Sequence, residues 1–343
     1  VNLAALRHPR PERVKTRIWP VFLPHQGCRW RCRFCDQHLQ TGRPDQELAA
    51  IHDNLEQELA GALAAGRAPL EIGFFGGTFT ALPEKWQLRF LDLAREFRER
   101  GLITRIRCST RPDALSAEAL AGLKARGLDM VELGVQSFSD RALGASGRGH
   151  DGEAAREGCR LVADSGLILG LHLMPGLPGA TAKTFLNDVD VSLTFAPATV
   201  RLYPCLVLEG TPLARDLARG AYRPTSLAAS LALLGLALSR FWRAGVEVIR
   251  VGLVPEEALL SRITAGPWHP ALGQRAASLA LYDHIRAHLA ASGGRPTGLR
   301  YPARFQSEVL GWRREMLPRY QALALGAESM RPWPETFFLL QTG

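Results

Sequence analysis

The chain has 343 residues, 46% of them apolar and 22% charged, with a formal net charge of +9. That is long enough for one large α/β barrel or two modest domains, and apolar enough to bury a core without disulfide or metal staples. Three of the six cysteines fall within eight residues and the rest are scattered, which is no disulfide framework and fits a reducing, cytoplasmic setting.

The first 17 residues are polar and basic and lack the apolar stretch of a signal peptide. Apolar, β-branched runs then recur at 18–23, 70–75, 103–108, 130–135, 167–174 and 199–203. Between them, near 45–66, 83–100, 115–126, 151–165 and 181–195, apolar residues follow three- and four-residue steps. Strands alternating with helices predict a parallel sheet with right-handed crossovers. Six such units predict an α/β fold of the partial (β/α)6 TIM-type barrel kind, not a closed barrel of eight. After residue 203 the rhythm changes to a helix near 225–243, one further strand at 246–251 and a helix over 271–289. A linker or long turn at 291–298 precedes a short, basic, partly helical tail. The expected division is a barrel core with a basic N-terminal arm over 1–225, and a mainly helical, mixed α/β extension over 226–343 that covers the barrel. The most apolar window, 227–238, is too short to span a membrane, so no membrane contact is expected.

Positive charge gathers at the two ends. Arg7, Arg10, Arg13, Lys15, Arg17, Arg29, Arg31 and Arg33 face only Glu12 in the first 35 residues, and residues 295–320 hold six arginines against Glu308 and Glu315. Such a field attracts polyanions, nucleic acid first among them. An arginine-rich composition inherited from the genome gives the same balance without a partner. No recognised RNA-binding module or aromatic stacking platform is visible.

Polar motifs fall at the C-terminal ends of the predicted strands, where a barrel of this kind carries its functional loops. The first is Cys28-x3-Cys32-x2-Cys35, with Phe34 before the third cysteine. Three thiolates in so short a loop can wrap one soft metal centre and leave it a ligand short. A Cys3His zinc site completed by His25 or His38 is the alternative. The second strand ends in Gly76-Gly77-Thr78-Phe79, where adjacent glycines allow close backbone approach to a ligand. Later strands end in Ser109-Thr110-Arg111-Pro112-Asp113, Gly134-Val135-Gln136-Ser137, and His172 ahead of Met174-Pro175-Gly176, with Arg148-Gly149-His150 between the last two. Gln136, Ser109 and His172 also have structural readings, as strand-end caps or a satisfied core histidine. Cys205, after Tyr203-Pro204, is either a thiol facing the barrel mouth or a small buried residue, and Cys108 and Cys159 read as core. Trp268 and His269 are candidates for a substrate-facing loop.

Taken in order over residues 17–225, these motifs resemble the radical S-adenosylmethionine (radical SAM) superfamily. The likeness is to the branch of the tRNA-modifying Elongator catalytic subunit and, more distantly, of the oxygen-independent coproporphyrinogen oxidases. The resemblance implies a [4Fe–4S] cluster on Cys28, Cys32 and Cys35 whose open iron binds S-adenosyl-L-methionine, reductively cleaved to a 5′-deoxyadenosyl radical. It implies cofactor contacts from Phe34, from Gly76, Gly77 and Thr78 to the methionine part, and from Gln136 and Arg148 to ribose and carboxylate. Ser109 stands where the Elongator subunit carries Glu, and His172 matches a histidine that reaches the ribose edge. The branch implies RNA as substrate and partner, and a donor such as flavodoxin or ferredoxin for the electron. No acetyltransferase activity is expected, because the chain shows neither that domain nor its zinc-binding cysteines, and Arg201 replaces a lysine. The alternatives are the same chemistry on a small molecule such as a tetrapyrrole, and a non-catalytic zinc or iron–sulfur protein.

Overall fold

A computed structural model describes residues 2–12, 16–38, 46–254 and 257–343. Arg13 and Lys15 of the basic arm, and position 45 at the start of the first expected helix, lie outside the described residues.

The chain opens with strand β1 (Asn2–Leu6) and enters the barrel at β2 (Ile18–Leu23). There follow α1 (Leu48–Ala64), β3 (Leu70–Gly76), α2 (Glu84–Glu99), β4 (Ile103–Thr110), α3 (Ala117–Ala125) and β5 (Met130–Gln136). Next come α4 (Asp140–Ala145), α5 (Gly152–Asp164), β6 (Ile168–Leu173), α6 (Ala182–Leu193) and β7 (Thr199–Leu202). The strands are mainly apolar because both of their faces are covered; the first five residues of β3 are all buried, Glu71 among them. The helices carry one apolar stripe each, as Phe90, Leu91, Ala94 and Phe97 do on α2. Their starts are set by capping side chains: Ser116, Ser139, Asp151 and Thr181 each accept a backbone N–H three residues on.

The strands pair in parallel in the order β2-β3-β4-β5-β6-β7, as the six-unit reading predicts, and the result is a partial TIM-type barrel. Beyond it come β8 (Val207–Leu208), α7 (Pro212–Ala218), α8 (Leu227–Arg243) and β9 (Glu247–Val251). β9 adds a seventh parallel strand beside β7, and β10 (Ile263–Ala265) pairs with β8 near the mouth. The long α9 (Leu272–Ser292) then packs on α8.

The tail differs from its expected form. Residues 291–298 are not simply a linker, since β11 (Pro296–Pro302) begins inside them, and β12 (Met330–Trp333) and β13 (Phe338–Thr342) follow. These strands and β1 make a second sheet, ordered β1-β13-β11-β12, whose inner face buries Leu6, Leu299, Phe338 and Leu340 against Leu281, Ile285 and Leu289 of α9. Prolines at both ends of β11 read as strand breakers, and the partner that completes the sheet lies at the other end of the chain. Strand β1 at the start of the chain thus forms one structural unit with the basic tail. Glu308 ties them further, accepting from Arg10 at 2.7 Å and pairing with His8 at 3.1 Å.

One buried acid links the barrel layers. Asp188 of α6 accepts from Ser137 Oγ at 2.6 Å and from the Phe138 N–H at 2.8 Å, just past β5. Burial outweighs these bonds and pushes its carboxyl up to about 6. The native state therefore holds this proton more tightly than the unfolded chain, and the stability it lends below about pH 4 is lost as pH rises through 6. Asp188→Asn is expected to gain about 2 kcal/mol on wild type between pH 4.5 and 7.5, read as the shift in urea midpoints at the two pH values.

Candidate active site

Two loops meet backbone to backbone at the mouth. The Thr78 N–H donates to Gln26 O at 2.7 Å, and a Cβ on Gly77 would stand 2.0 Å from that same oxygen. Gly27, with φ +71°, likewise has Thr78 O 2.3 Å from where its Cβ would be. The glycines after β3 thus let that loop press on the cysteine loop after β2. Gly77→Ala is expected to cost about 1–3 kcal/mol by overpacking. Gly61→Ala on α1, with nothing within 4 Å of the added methyl, is expected to stabilise by about 0.5–1 kcal/mol in the same denaturation series.

The other side of the cysteine loop is held by Arg33. Its N–H donates to Ser146 O at 3.0 Å, its carbonyl accepts from the Leu213 N–H at 2.9 Å, and its guanidinium forks onto Asp216 of α7 through bonds of 2.6 and 2.7 Å. That fork keeps the Asp216 carboxyl below its usual range. Gln37 does the same work inside the loop: its Oε1 accepts from the His25 N–H and its Nε2 donates to Gly76 O. Arg33, Gln37 and Asp216 escape the sequence reading because their partners are distant in the chain and no motif marks them.

All six cysteines are free. Cys28 Sγ lies 3.4 Å from Thr78 Oγ1, and Cys32 Sγ accepts from Arg148 Nη1 at 3.1 Å. Burial, then the neighbouring Cys32 and Cys28, push the Cys35 thiol up to about 12. Cys108 and Cys159 lie in the barrel core, as expected. Cys205 is buried in a cluster with Cys32, Phe34, Leu177 and Tyr222 and does not face the mouth. Trp268 packs on Leu206, Leu208 and Leu259, and the His269 ring meets Trp312 edge-on at 5.6 Å, so neither joins the cavity wall.

The three cysteines open on a cavity of about 480 Å3. Phe34, Gly76, Gly77 and Thr78 line it on the side of β2 and β3, and Ser109, Gln136, Arg148 and His172 continue the wall across β4 to β6. Trp268, His269 and Cys205 are not on this surface, whereas the loop cysteines and all the residues expected to contact the cofactor are. Three of them carry buried polar atoms without a hydrogen-bond partner: Ser109 Oγ, Gln136 Oε1 and Arg148 Nε. Leaving such atoms unmet costs about 1–3 kcal/mol each, so the wall is built to be satisfied by a ligand. Gln136 is further held at φ +67°, a strained conformation for a residue with a side chain.

Beneath the cavity runs a buried charge network. Glu132, fully buried, receives Arg107 Nε at 2.7 Å, Arg201 Nε at 2.6 Å and His172 Nε2 at 2.9 Å, while Arg107 Nη1 reaches Glu71 at 3.0 Å. Burial opposes ionisation of Glu132, but Arg201, His172 and Arg107 hold its carboxyl well below the usual range. Burial pushes the His172 imidazole down against the pull of Glu132, to which its Nε2 is bonded. Of the two histidines offered for a zinc site, His25 has its Nε2 accepting from the Gln37 N–H at 3.2 Å.

The model of the Radical SAM superfamily matches residues 22–191, and that of the Radical_SAM C-terminal domain matches residues 197–280. The chain belongs to the radical SAM superfamily. The tRNA uridine(34) acetyltransferase of Methanocaldococcus infernus is 34% identical over 175 residues, 45% of this chain and 33% of that protein. The heme chaperone HemW of Mycobacterium tuberculosis is 28% identical over 207 residues, 58% of this chain and 53% of that protein. The chain thus spans between a third and about half of these curated relatives. In fold it is similar to the archaeal Methanocaldococcus infernus Elp3 with N-terminus deletion, with a TM-score of 0.59 and 24% identity over 80% of this chain and 64% of that one.

Radical SAM proteins use a [4Fe–4S] cluster and S-adenosyl-L-methionine, and this site fits both. Three free thiols on one cavity wall, one short of a four-cysteine ligand set, suit a cluster with one open iron. The unmet donor and acceptor atoms on the adjoining wall suit a polar cofactor.

Proposed function

We propose that this radical SAM protein modifies RNA, and that Cys28, Cys32 and Cys35 hold its cluster. When bound, the cluster and S-adenosylmethionine supply a 5′-deoxyadenosyl radical that abstracts hydrogen from the substrate. The chain's own residues bind and orient. The Gly76–Gly77–Thr78 backbone takes the amino end of the cofactor, Arg148 takes its carboxylate through the unmet Nε, and Ser109 and Gln136 take ribose hydroxyls. Phe34 and His172 complete the wall, and apolar neighbours such as Phe75 and Leu206 keep water out. A small cytoplasmic reductant of the flavodoxin or ferredoxin type delivers the electron. Among the described residues no helix is long and apolar enough to cross a membrane.

The observation that carries RNA is the relative named as a tRNA uridine(34) acetyltransferase, supported by the arginine-rich tail over 295–320. The proposal covers the radical step alone, since the match spans a third of that relative. The likeness to the heme chaperone favours a second reading, a tetrapyrrole ligand. Anaerobically reconstituted protein is expected to form 5′-deoxyadenosine on reduction and to bind tRNA with a steep salt dependence. Binding of tRNA no tighter than of heparin, with tight binding of coproporphyrin or haem, would favour the second reading. One held zinc and no 5′-deoxyadenosine would overturn both.

A further inference from the structure

The sheet β1-β13-β11-β12 has one covered face and one open face. Its inner residues, Leu299 and Leu340 among them, pack towards α9. Strand register puts Ala5, Leu339, Arg300, Arg331 and Trp333 on the other side, where Ala5 and both arginines are exposed. No Asp or Glu stands at any outward-facing position of these four strands.

Arg300 and Arg331 are direct partners on neighbouring parallel strands, and neither makes an ion pair among the described residues. Two like charges side by side on a sheet destabilise it unless an anion lies across them. The Arg300 guanidinium sits 5.9 Å from the Trp333 ring centroid. Trp333 is itself fixed, its Nε1–H donating to Phe337 O at 2.8 Å and its ring meeting Phe337 edge-on at 4.8 Å. A fixed aromatic ring beside two uncompensated guanidinium groups, on a flat open sheet, has the chemistry that single-stranded nucleic acid takes: a base on the ring and phosphates on the cations. The surrounding unit reinforces the field. Residues 295–343 hold seven arginines against four glutamates, and two of those, Glu308 and Glu315, are already paired with Arg10 and Arg275.

We propose that this open sheet face docks single-stranded RNA, with Trp333 stacking a base and Arg300 and Arg331 taking the flanking phosphates. The proposal rests on the RNA reading above and adds a surface outside the cavity. The test compares the reconstituted full chain with Arg300→Gln/Arg331→Gln and with Trp333→Ala, using oligouridine, a tRNA transcript and heparin as probes. The double variant is expected to bind oligouridine at least tenfold more weakly at physiological salt, with a salt slope about 1.4 shallower, as loss of two single-strand phosphate contacts requires. Trp333→Ala is expected to lose about tenfold with the slope unchanged. Formation of 5′-deoxyadenosine without RNA is expected to stay at the wild-type rate in all variants, which also shows that they fold. RNA bound equally by wild type and the double variant would overturn the docking surface and leave the RNA reading standing. Oligouridine and tRNA bound no better than heparin by wild type would overturn both. A change of sedimentation from dimer to monomer in the double variant, with RNA binding unchanged, would assign the face to a second copy of the chain instead.

Discussion

Cys32→Ser is expected to abolish cluster assembly while leaving the barrel folded. Reconstituted wild type should hold about four irons per chain and the variant fewer than one. Formation of 5′-deoxyadenosine should fall to background. The expectation follows from position: Cys32 is buried and its sulfur already accepts from Arg148 Nη1 at 3.1 Å. Serine offers a harder and less acidic ligand at the same point. The fold should survive because the main barrel core, from Val21 through Ala280, is built without the three cysteines of this loop. Far-ultraviolet circular dichroism of the apo protein checks that half. Cys205→Ala is the matched control, since Cys205 packs in the same cluster as Cys32 and Phe34 but is no ligand candidate. It should keep its iron and lose about 1–2 kcal/mol of stability for the cavity left behind. A further sign is fixed by the Cys35 thiol, which burial and its neighbours push up to about 12 without metal. Loading must release that proton, so iron uptake is expected to strengthen as pH rises.

How much of this was legible in the sequence depends on the distance over which each feature is specified. The barrel strands announce themselves because each is mainly apolar and largely buried, and each helix cap is a local matter of one side chain and one N–H. The gathering of the candidate residues on one cavity wall was equally legible, because a βα fold brings whatever follows its strands to one end. The tail was not. Leu299 and Tyr301 flank a single exposed Arg300, too short an alternation to signal a strand, and their sheet is closed by residues 2–6 from the opposite terminus. Nor was the scaffold of the cysteine loop. Arg33 and Asp216 are 183 positions apart, and nothing local distinguishes that pair from other arginines and aspartates. The same distance hid Glu132, which in sequence is a lone acid within an apolar strand, although burial at that point demanded a cation from elsewhere.

Glu132→Gln is therefore the substitution expected to cost the most stability. It would leave Arg107 and Arg201 buried with one carboxylate removed from between them; Arg107 keeps Glu71 at 3.0 Å, whereas Arg201 keeps no carboxylate among the described residues, but the Tyr203 hydroxyl at 3.3 Å and the Phe75 ring at 5.1 Å. Breaking a buried pair in this way costs about 3–5 kcal/mol, most of it the uncompensated charge. The pH dependence separates this from a packing defect. The Glu132 carboxyl is held well below its unfolded value by Arg201, His172 and Arg107, so its contribution is fully present above the ordinary glutamate range and fades as pH falls below it. The gap between wild type and variant, measured by denaturation of the apo protein, should be widest near neutrality and narrow below about pH 4. Adding Arg201→Gln should recover part of the loss, because the orphaned cation goes with its partner. Cofactor cleavage should not recover with it. Arg201 and His172 line the cavity while both are bonded to Glu132, so the double variant regains stability without regaining that wall.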